Sequence, residues 1–556
     1  MPTTIITTVA PMGRVALLLL ALLSLTIIDS SCAFSQVKSA AAKKATSIIS
    51  LSASSELAAN NELQPVRKVA IVGSGICGLS LAHALLSKSK EIEIDIFDAR
   101  TELEERSGSG IQLTGGMAAL REISPQLYRN VADACLPLER VVSRCRPWFG
   151  NSKNGESWKL LELDIQKAIR SGVDDLITED GEVLAYTILR GTLQRILHEE
   201  LMKEHDTQVQ FGKRLCGLDY SESDSGISLQ FTDGGSSGPY DLVVGCDGIK
   251  SIVKDFVNTG KTSSSNDNGV GNNEGSTSTS AIYSGIRITF AIQDGDETDR
   301  DAITGAQFSQ FFGNGAYALT SMYGAGKGKP PAKGAFLIYG DEDYIGPFPK
   351  RKSDTDDTKP LDENPDWTQD NRVTKDHAKE CLEVLQAASI QSDDVARIVE
   401  KSNRFFDLGV YFHNPLSLSG WVREFSKPNS GWFSSGKTSK YAVLAGDSAH
   451  AMPPFLGQGG NQAIQDAVCL SSKIFQYNSQ FQQSTEAGNI DLKVLLKEYE
   501  NRRWLPTASI TAKSAFLGYL EAGSSFFSNF RDAFFFVMGK LGVAEKVFLD
   551  SAKPKM

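Results

Sequence analysis

Three glycines and a later aspartate form the pattern in this sequence that points most directly to chemistry. Gly73, Gly75 and Gly78 have the spacing of a dinucleotide-binding turn. In such a turn the first glycine permits a tight bend, the second lets the backbone approach a pyrophosphate, and the third lets the helix pack closely on the strand. Asp98 follows where a carboxylate can accept ribose hydroxyls, so the pattern predicts a bound dinucleotide. The predicted contacts within the turn also include Ser74, Ile76 and Cys77.

The elements around this turn are those that a nucleotide-binding fold requires. Residues 67–72 form a short β-branched apolar run, which predicts a buried strand. Residues 79–86 carry apolar side chains at helical spacing, and residues 91–97 alternate as a second strand. Strand, glycine turn, helix, strand and acid therefore follow in the order of a Rossmann-type unit. Without this context a glycine turn would be a weak signal.

A second segment, near the end of the chain, indicates which dinucleotide is bound. It runs from residue 444 to 467, and its residues of interest are Gly446, Asp447, Pro454, Gly457, Gly459, Gly460 and Asn461. It resembles the ribityl-binding segment of the single-component (group A) FAD-dependent monooxygenases, which include p-hydroxybenzoate and salicylate hydroxylases and plastid zeaxanthin epoxidases. The resemblance implies that Asp447 binds the ribityl and phosphate region of FAD. It also implies that residues 457–461 open a helix facing the flavin ring, where a helix N-terminus would stabilise the negative charge of a reduced flavin.

Three shorter segments lie between these two and carry further resemblance. Asp247 and Gly248 match the family's Asp-Gly motif, which is implicated in binding both FAD and NAD(P)H. Arg190 matches an FAD-contacting arginine at the start of a helix. Ile111 lies in residues 108–113, which match the segment that passes the flavin. The resemblance covers about residues 66–503 and implies non-covalently bound FAD, with NAD(P)H as co-substrate.

The sequence departs from the family pattern at three places. Residues 114–118, Thr-Gly-Gly-Met-Ala, stand where many members have Pro-Asn-Ala, which counts against a flavin contact from that turn. Lys254 stands where arginine is common; it keeps the charge but not the bidentate fork. Gln465 stands where glutamate is common.

The element order and the resemblance together predict an α/β (α+β) fold. We expect a Rossmann-like FAD-binding domain, discontinuous in sequence, with an inserted β-sheet substrate domain and a helical C-terminal tail. The predicted ranges are residues 66–258 and 440–505 for the FAD-binding domain, 281–439 for the substrate domain and 506–556 for the tail. Residues 259–280 are rich in Ser, Asn, Gly and Thr, which predicts a disordered insertion.

The N-terminal residues have the composition of a targeting sequence. Residues 1–33 combine a basic start, an apolar run and small residues before position 34, which predicts a signal peptide. Residues 34–65 are rich in Ser, Ala and Lys, which predicts a plastid transit peptide. A signal peptide followed directly by a transit peptide resembles the presequences of algae with complex plastids. We therefore expect a plastid protein, with the thylakoid or the envelope as a site of association.

Charge and cysteine spacing exclude several other classes of protein. The net charge of −10 and the isoelectric point of about 5.3 argue against nucleic acid as a partner. The eight cysteines form no Cys-x-x-Cys pair, so their spacing predicts no zinc site, no other metal and no disulfide framework. A disulfide reductase is disfavoured as well, because no redox-active cysteine pair lies near the first helix.

The C-terminal tail is rich in phenylalanine, with six between residues 526 and 536. Its longest apolar run is too short to span a membrane. Two interpretations remain: a helix that lies on a membrane surface, or a helix that covers the enzyme's own core, and we favour the second.

We expect an FAD-dependent monooxygenase that uses NAD(P)H and O2 to insert one oxygen atom, by epoxidation or hydroxylation, into a small lipophilic substrate. The predicted plastid address favours a carotenoid or another isoprenoid. The alternatives are an aromatic ring hydroxylase of the salicylate type, a flavin-dependent isoprenoid reductase and a flavin-binding protein without turnover. No side chain is assigned to oxygen transfer, and His450 is expected to position the backbone rather than to act as a base.

Overall fold

Three β-sheets and the helices packed on them make up the part of the chain that the computed structural model describes. These residues are 64–104, 108–147, 157–221, 226–260, 281–299, 302–340, 371–417, 420–425, 440–482 and 490–556. The strands are β1 (Lys68–Val72), β2 (Glu93–Phe97), β3 (Gly110–Leu113), β4 (Leu136–Cys145), β5 (Trp158–Asp164), β6 (Tyr186–Leu189), β7 (Val209–Gln210), β8 (Leu215–Ser221), β9 (Gly226–Phe231), β10 (Ser236–Tyr240), β11 (Leu242–Gly245), β12 (Ile282–Gln293), β13 (Ala306–Phe312), β14 (Ala316–Tyr323), β15 (Ala332–Gly340), β16 (Arg404–Phe412), β17 (Val422–Phe425) and β18 (Lys440–Leu444). The helices are α1 (Ile76–Leu86), α2 (Gly115–Ile123), α3 (Pro125–Ala132), α4 (Ile165–Gly172), α5 (Arg190–His205), α6 (Ile252–Thr259), α7 (Asn371–Ala387), α8 (Asp393–Lys401), α9 (Asp447–His450), α10 (Gly459–Ser479), α11 (Leu492–Glu521), α12 (Phe526–Lys540) and α13 (Val543–Ala552).

A six-stranded sheet in the order β17-β18-β11-β1-β2-β7 brings the two ends of the chain together. All neighbouring pairs in it are parallel except β17 with β18. The carboxyl ends of parallel strands meet at one edge, which is where open α/β sheets bind ligands. The residues that follow these strand ends within two positions are Gly73 after β1, Asp98 after β2, Asp247 after β11 and Gly446 after β18. The fold therefore gathers motifs that are far apart in sequence.

The strands and helices expected around the glycine turn are present, with one shift. Helix α1 begins at Ile76 rather than at residue 79, because Gly75 is its N-cap and Gly78 already lies inside it. The predicted turn is therefore largely the first turn of the helix. Its N–H groups are directed toward the edge of the sheet where a pyrophosphate would bind.

The largest sheet has nine strands, in the order β16-β12-β15-β14-β13-β4-β6-β3, with β5 paired to β4. Its side chains alternate between two faces, as a strand requires. Along β15, Ala335 and Leu337 pack against α7 and α8, whereas Phe336 and Ile338 join the main core shared with the six-stranded sheet. Strands β3 to β6 come from residues 110–189, within the range assigned to FAD binding, so this sheet extends beyond the predicted substrate domain.

The C-terminal tail lies on the end of this sheet through helix α12. Phe535 packs on Phe312 with ring centroids 4.8 Å apart. The guanidinium of Arg531 lies 4.7 Å above the Phe312 ring and donates a hydrogen bond to the Gly313 carbonyl at 2.9 Å. One face of the tail thus covers the enzyme's own core. No helix in the described ranges is long and apolar enough to cross a membrane.

Glu521, at the end of α11, is a buried acid at the junction of tail and sheet. Its Oε1 accepts a hydrogen bond from Gln310 Nε2 at 3.1 Å. Burial raises its pKa to about 7, although Tyr317, Gln310 and Arg531 each act to lower it. Because the folded pKa exceeds the unfolded value of about 4.3, the unfolding free energy should fall by about 3 kcal/mol as pH rises from about 4 to about 7.

The variant Glu521→Gln should lose this pH dependence and be more stable than the parent at pH 8. Urea unfolding at several pH values would measure the change. Glu122→Gln, at an exposed position, is the control and should keep the parent's pH profile. Parallel profiles for Glu521→Gln and the parent would contradict the assignment.

Three of the predicted segments lie outside the described residues, wholly or in large part. They are the signal peptide at 1–33, the transit peptide up to residue 63, and the insertion from residue 261 to 280. The expectations for these segments remain predictions.

Candidate cofactor-binding site

The three glycines of the turn are required for two different reasons, close packing within the protein and room for a ligand. Gly73 has a φ of +103°, and a Cβ there would lie 2.3 Å from the Cys246 carbonyl oxygen. A Cβ on Gly78 would lie 2.0 Å from the Gly73 carbonyl oxygen. A Cβ on Gly75 would meet no protein atom within 4 Å. Packing of the protein therefore explains the first and third glycines, whereas the middle one fits a ligand that approaches the backbone.

Asp98 is more heavily engaged than the sequence predicts. The N–H and hydroxyl groups of Ser74 donate to its Oδ2 at 2.8 and 2.7 Å. Arg100 donates through its backbone N–H, Nε and Nη2, each at 2.9 Å. Burial raises the pKa of Asp98, but Arg100 and Ser74 outweigh it and hold that pKa at about 2. Asp98 therefore secures the glycine turn as an anion, and its ribose contact stays a prediction.

Arg190 begins α5 beside the same turn. Its backbone N–H donates to the Ser109 carbonyl at 3.0 Å, and its side chain is exposed. The surrounding protein lowers its pKa, while nearby Asp447 raises it and Arg100 lowers it further. Two guanidinium groups therefore lie within electrostatic range of each other next to the N-terminus of α1. Such a pair is suited to the two charges of a pyrophosphate.

Asp447 is exposed at the carboxyl edge of the six-stranded sheet, as the first residue of α9. Gly446 precedes it with a φ of +66°, and a Cβ there would lie 2.9 Å from the Cβ of Cys77. Only glycine fits this approach of β18 to α1. The tight turn directs the Asp447 carboxylate outward, where it can accept hydrogen bonds from ribityl hydroxyls.

Helix α10 begins with two glycines, Gly459 and Gly460, and few side chains of other residues lie near them. Pro454 begins an exposed 3₁₀ turn, Pro454–Leu456, that leads into it. A Cβ on Gly457 would lie 2.7 Å from Gln112 Nε2, which donates to the Leu456 carbonyl at 2.7 Å. A Cβ on Gly459 would meet nothing within 4 Å, and one on Gly460 would touch only Ile111 and Ile76 at 3.6 and 3.7 Å.

Asn461 is buried and has a positioning role in this structure. Its Oδ1 accepts from the N–H groups of Thr114 and Gly116 at 2.7 and 2.9 Å. Its Nδ2 donates to the carbonyls of Gln112 and Gly457 at 3.0 and 3.3 Å. The side chain thus joins the turn after β3 to the start of α10. These hydrogen bonds occupy both polar atoms of the side chain, and its direct contact with the cofactor stays a prediction.

The same contacts explain the Thr-Gly-Gly departure from the family pattern. A Cβ on Gly116 would lie 2.9 Å from Asn461 Oδ1. A Cβ on Gly115 would lie 2.7 Å from the Ala552 carbonyl oxygen. The two glycines therefore make room for Asn461 and for the C-terminal segment.

Asp247 holds the start of helix α6, whose N-cap is Ser251. It accepts hydrogen bonds from the Ser251 hydroxyl and from the Ile252 N–H, the latter at 2.8 Å. Burial raises its pKa to about 6, and these hydrogen bonds moderate the increase. Gly248 follows at the edge of the sheet, with open space around its α-carbon. The motif shapes the edge near the cofactor site, and its contact with NAD(P)H stays a prediction.

A buried cluster of charged side chains around Asp466 supports the carboxyl edge of the six-stranded sheet. The spacing of residues in the sequence did not predict this cluster. Asp466 accepts from Gly446 N–H at 2.8 Å, His450 Nε2 at 2.6 Å and Arg503 Nε at 2.6 Å. Burial raises the pKa of Asp466, but His450 and Arg503 hold it at about 2. Arg503 also reaches the Lys555 carbonyl at 2.7 Å. His450 therefore positions the turn that carries Asp447.

Two cysteines that lie far apart in sequence meet beneath the site. Cys77 Sγ and Cys246 Sγ are 3.7 Å apart, and both are buried. The hydrogen bond with Cys246 and burial raise the pKa of Cys77 well above its ordinary value. These thiols pack α1 against the end of β11. The sequence showed no cysteine pair near the first helix because the two are brought together only by the fold.

The donors at this edge fit FAD. Glycines 75 and 459 each leave room at a helix start. Arg100 donates to the Ser74 hydroxyl at 3.2 Å, and Arg190 lies within electrostatic range of Arg100 and Asp447. Buried Gln458, just before α10, has both side-chain amide atoms without a partner among the described residues. An amide with a free donor and a free acceptor suits a heterocycle that offers both.

Comparisons with known proteins agree with this geometry. Residues 67–292 and 439–483 match a family model described as an FAD binding domain. The chloroplastic zeaxanthin epoxidase of Spinacia oleracea is 24% identical over 79% of this chain, a match that spans only 52% of that relative. The 6-methylsalicylate 1-monooxygenase of Aspergillus terreus is 25% identical over 80% of this chain and 81% of its own length. Klebsiella pneumoniae HpxO, solved with FAD and uric acid, has a TM-score of 0.56 at 19% identity, covering 87% of this chain and 96% of HpxO. That likeness concerns the fold.

Proposed function

We propose that the chain, whose residues 67–292 and 439–483 match an FAD binding domain, works as an FAD-dependent monooxygenase. NAD(P)H is the proposed reductant and O2 the oxidant, with one oxygen atom passing to a lipophilic substrate. The observation that carries the proposal is the meeting of Gly75, Asp447 and the bare start of α10 at one edge of the parallel sheet.

Each part of this edge has a separate task. The N-terminus of α1 with Arg190 and Arg100 binds the pyrophosphate, and Asp447 binds the ribityl chain. The N-terminus of α10 lies where its partial positive charge favours an anionic flavin ring. Bound FAD supplies the activation of O2, and the chain's own residues orient it and exclude water.

The nine-stranded sheet offers the proposed substrate surface. On the face that joins the main core, Tyr323 lies against β3, where a Cβ on Gly110 would be 2.2 Å from its ring. Tyr323 also lies near the rings of Phe308 and Phe336, with centroids 6.2 and 5.8 Å apart. Aromatic side chains beside β3 favour an apolar substrate over a charged one. The proposed substrate is an isoprenoid, such as a carotenoid.

Purification of the chain without its targeting residues is the first test. We expect a yellow protein that releases FAD on denaturation and consumes NAD(P)H faster with its substrate. Carotenoids screened against small phenols would separate the isoprenoid oxygenase from the aromatic ring hydroxylase. Product mass distinguishes oxygen insertion from reduction of a double bond. A colourless protein would end the proposal, and a yellow protein without turnover would leave a flavin-binding protein.

We also propose that the tail contacts a membrane surface, with its exposed phenylalanines entering the lipid. Phe526, Phe527 and Phe530 are 75%, 50% and 50% exposed, whereas Arg531 and Phe535 on the same helix are buried. A cluster of large exposed apolar side chains is typical of a surface that contacts a membrane or another protein. A lipophilic substrate would be reached from such a surface.

Replacing Phe526, Phe527 and Phe530 by serine should abolish co-sedimentation with phospholipid vesicles, because most of the exposed apolar area on α12 is lost. Leu416→Ser, at a position 70% exposed elsewhere on the surface, is the matched control and should sediment like the parent. Equal sedimentation of the triple variant and the parent would refute the membrane contact.

The plastid is the proposed location of the protein, because the N-terminal residues have the composition of a targeting sequence. A fluorescent protein joined to the first 65 residues should accumulate in the plastid. Secretion or a cytosolic signal would overturn this.

A further inference from the structure

Three side chains with metal-binding chemistry meet at the C-terminal ends of two helices, away from the cofactor edge. His83 lies in the last turn of α1, and Glu204 and His205 end α5. One ligand atom from each lies within 4.8 Å of the others, and no second such group of His, Cys, Asp and Glu occurs in the described ranges. The two imidazole rings are edge to face, with centroids 5.6 Å apart.

One ring nitrogen of each histidine is available to a cation. Nε2 of His83 lies 2.8 Å from the Leu197 carbonyl oxygen. A carbonyl only accepts, so Nε2 carries the proton and Nδ1 of the neutral ring carries a lone pair. His83 is fully buried, and its Nδ1 has no hydrogen-bond partner in the described part of the chain; Nε2 of His205 is in the same situation. Buried polar atoms without a partner cost free energy, which a shared ligand would offset.

We propose that His83, Glu204 and His205 bind a divalent transition-metal cation, with Zn²⁺ the best match. Two imidazole nitrogens and one carboxylate form a donor set that zinc accepts, whereas Mg²⁺ and Ca²⁺ prefer oxygen ligands throughout. The hydrogen bond from His83 Nε2 to Leu197 is the kind of contact that orients a metal-binding histidine. Both helices end here, and their C-terminal carbonyls favour positive charge.

The geometry needs only a small closing movement. Zinc–nitrogen bonds of about 2.0–2.1 Å place tetrahedral ligand atoms roughly 3.3 Å apart, so the three groups must close by about 1.5 Å or less. The side chains of Glu204 and His205 are partly exposed and can make this movement, while buried His83 stays fixed. Water would complete the coordination.

The expected role of the ion is structural. Helix α1 begins at the glycine turn and α5 begins at Arg190, so a cation would join the far ends of the two helices whose first residues form the cofactor edge. The site therefore does not depend on the proposed oxygenase activity. A ligand that binds the folded state also raises the unfolding midpoint with its concentration.

Calorimetric titration of the FAD-loaded full chain, free of any histidine tag, with Zn²⁺ tests the proposal. We expect one Zn²⁺ per chain, with affinity at least about 100-fold weaker in the double variant Glu204→Gln/His205→Gln. His198→Gln is the matched control: this histidine lies on the same helix against Phe211, outside the cluster, and should bind like the parent. Equal Zn²⁺ affinity in the parent and the double variant would overturn the site.

The absorption spectrum of Co²⁺ added to the parent gives an independent result if the double variant loses its flavin. An intense visible d–d band is expected, because three protein ligands and one water give Co²⁺ a four-coordinate site. The weak spectrum of hydrated Co²⁺ in the presence of excess protein would refute the proposal without any variant.

Discussion

The variant Arg503→Met should be purified without flavin and with an unfolding free energy lower by about 3–5 kcal/mol, because it leaves the buried Asp466 carboxylate without its arginine partner. Arg503 is fully buried, and its Nε lies 2.6 Å from Asp466 Oδ1. Without it Asp466 retains only His450 and the Gly446 N–H. Since Gly446 directs the Asp447 carboxylate, loss of this ion pair should disorder the proposed ribityl contact.

Flavin absorbance per protein and urea unfolding would measure both effects. Arg502→Met is a close control, because Arg502 is the exposed neighbour of Arg503 on the same helix. A second variant separates charge from packing: Asp466→Asn combined with Arg503→Met should recover part of the lost stability, because no unpaired charge remains buried. Full flavin content and unchanged stability in Arg503→Met would show that the cluster does not support the site.

The second prediction is that the variants Gly75→Ala and Gly78→Ala have different defects: the first loses affinity for FAD, and the second loses stability. Gly75→Ala should leave the cofactor-free protein as stable as the parent, because the new methyl group meets no protein atom within 4 Å. Its affinity for FAD should fall at least 10-fold, about 1.4 kcal/mol, because the methyl group stands where the pyrophosphate approaches. Gly78→Ala should instead destabilise the protein itself, since its methyl group would lie 2.0 Å from a backbone oxygen.

Thermal unfolding without FAD, together with FAD titration by fluorescence, distinguishes the two failures. The expected pattern is a normal unfolding midpoint with weak binding for Gly75→Ala, and a lowered midpoint for Gly78→Ala. If Gly75→Ala bound FAD as tightly as the parent, the pyrophosphate could not lie against this turn. Equal midpoints for the two variants would mean that α1 does not pack as described.

Local spacing was sufficient for the parts of the site whose function depends on backbone shape. Gly73 and Gly78 are required by contacts within the turn itself, so their pattern is visible in a short stretch of sequence. The same holds for Gly446, which lets β18 approach α1. These positions accept almost no other residue, which is why a motif describes them well.

The supporting contacts could not be inferred because their partners are distant in sequence. Arg503 and Asp466 lie on different helices, and Cys77 meets Cys246 only through the parallel sheet. The contacts of Arg100 with Asp98 were not predicted for another reason. A charged residue after a strand is usually exposed, and nothing in the sequence showed that Arg100 would donate three hydrogen bonds to Asp98. In the nine-stranded sheet β4 likewise pairs with β13, although Val141 and its partner Phe308 are 167 residues apart, and alternation alone does not reveal such a pairing.

The parallel sheet has a consequence for how the protein acquires its shape. Ile71, Val244 and Val443 lie side by side across β1, β11 and β18, although hundreds of residues of chain separate the first from the last. Contacts of such long sequence separation slow folding, because the closure entropy of the intervening chain opposes each pairing. The glycine turn can form early, but the strand that leads to Asp447 joins it late. During synthesis the nucleotide-binding edge therefore remains incomplete until β18, which begins at Lys440, has been made, and nascent protein at that stage is exposed to misfolding and chaperone capture.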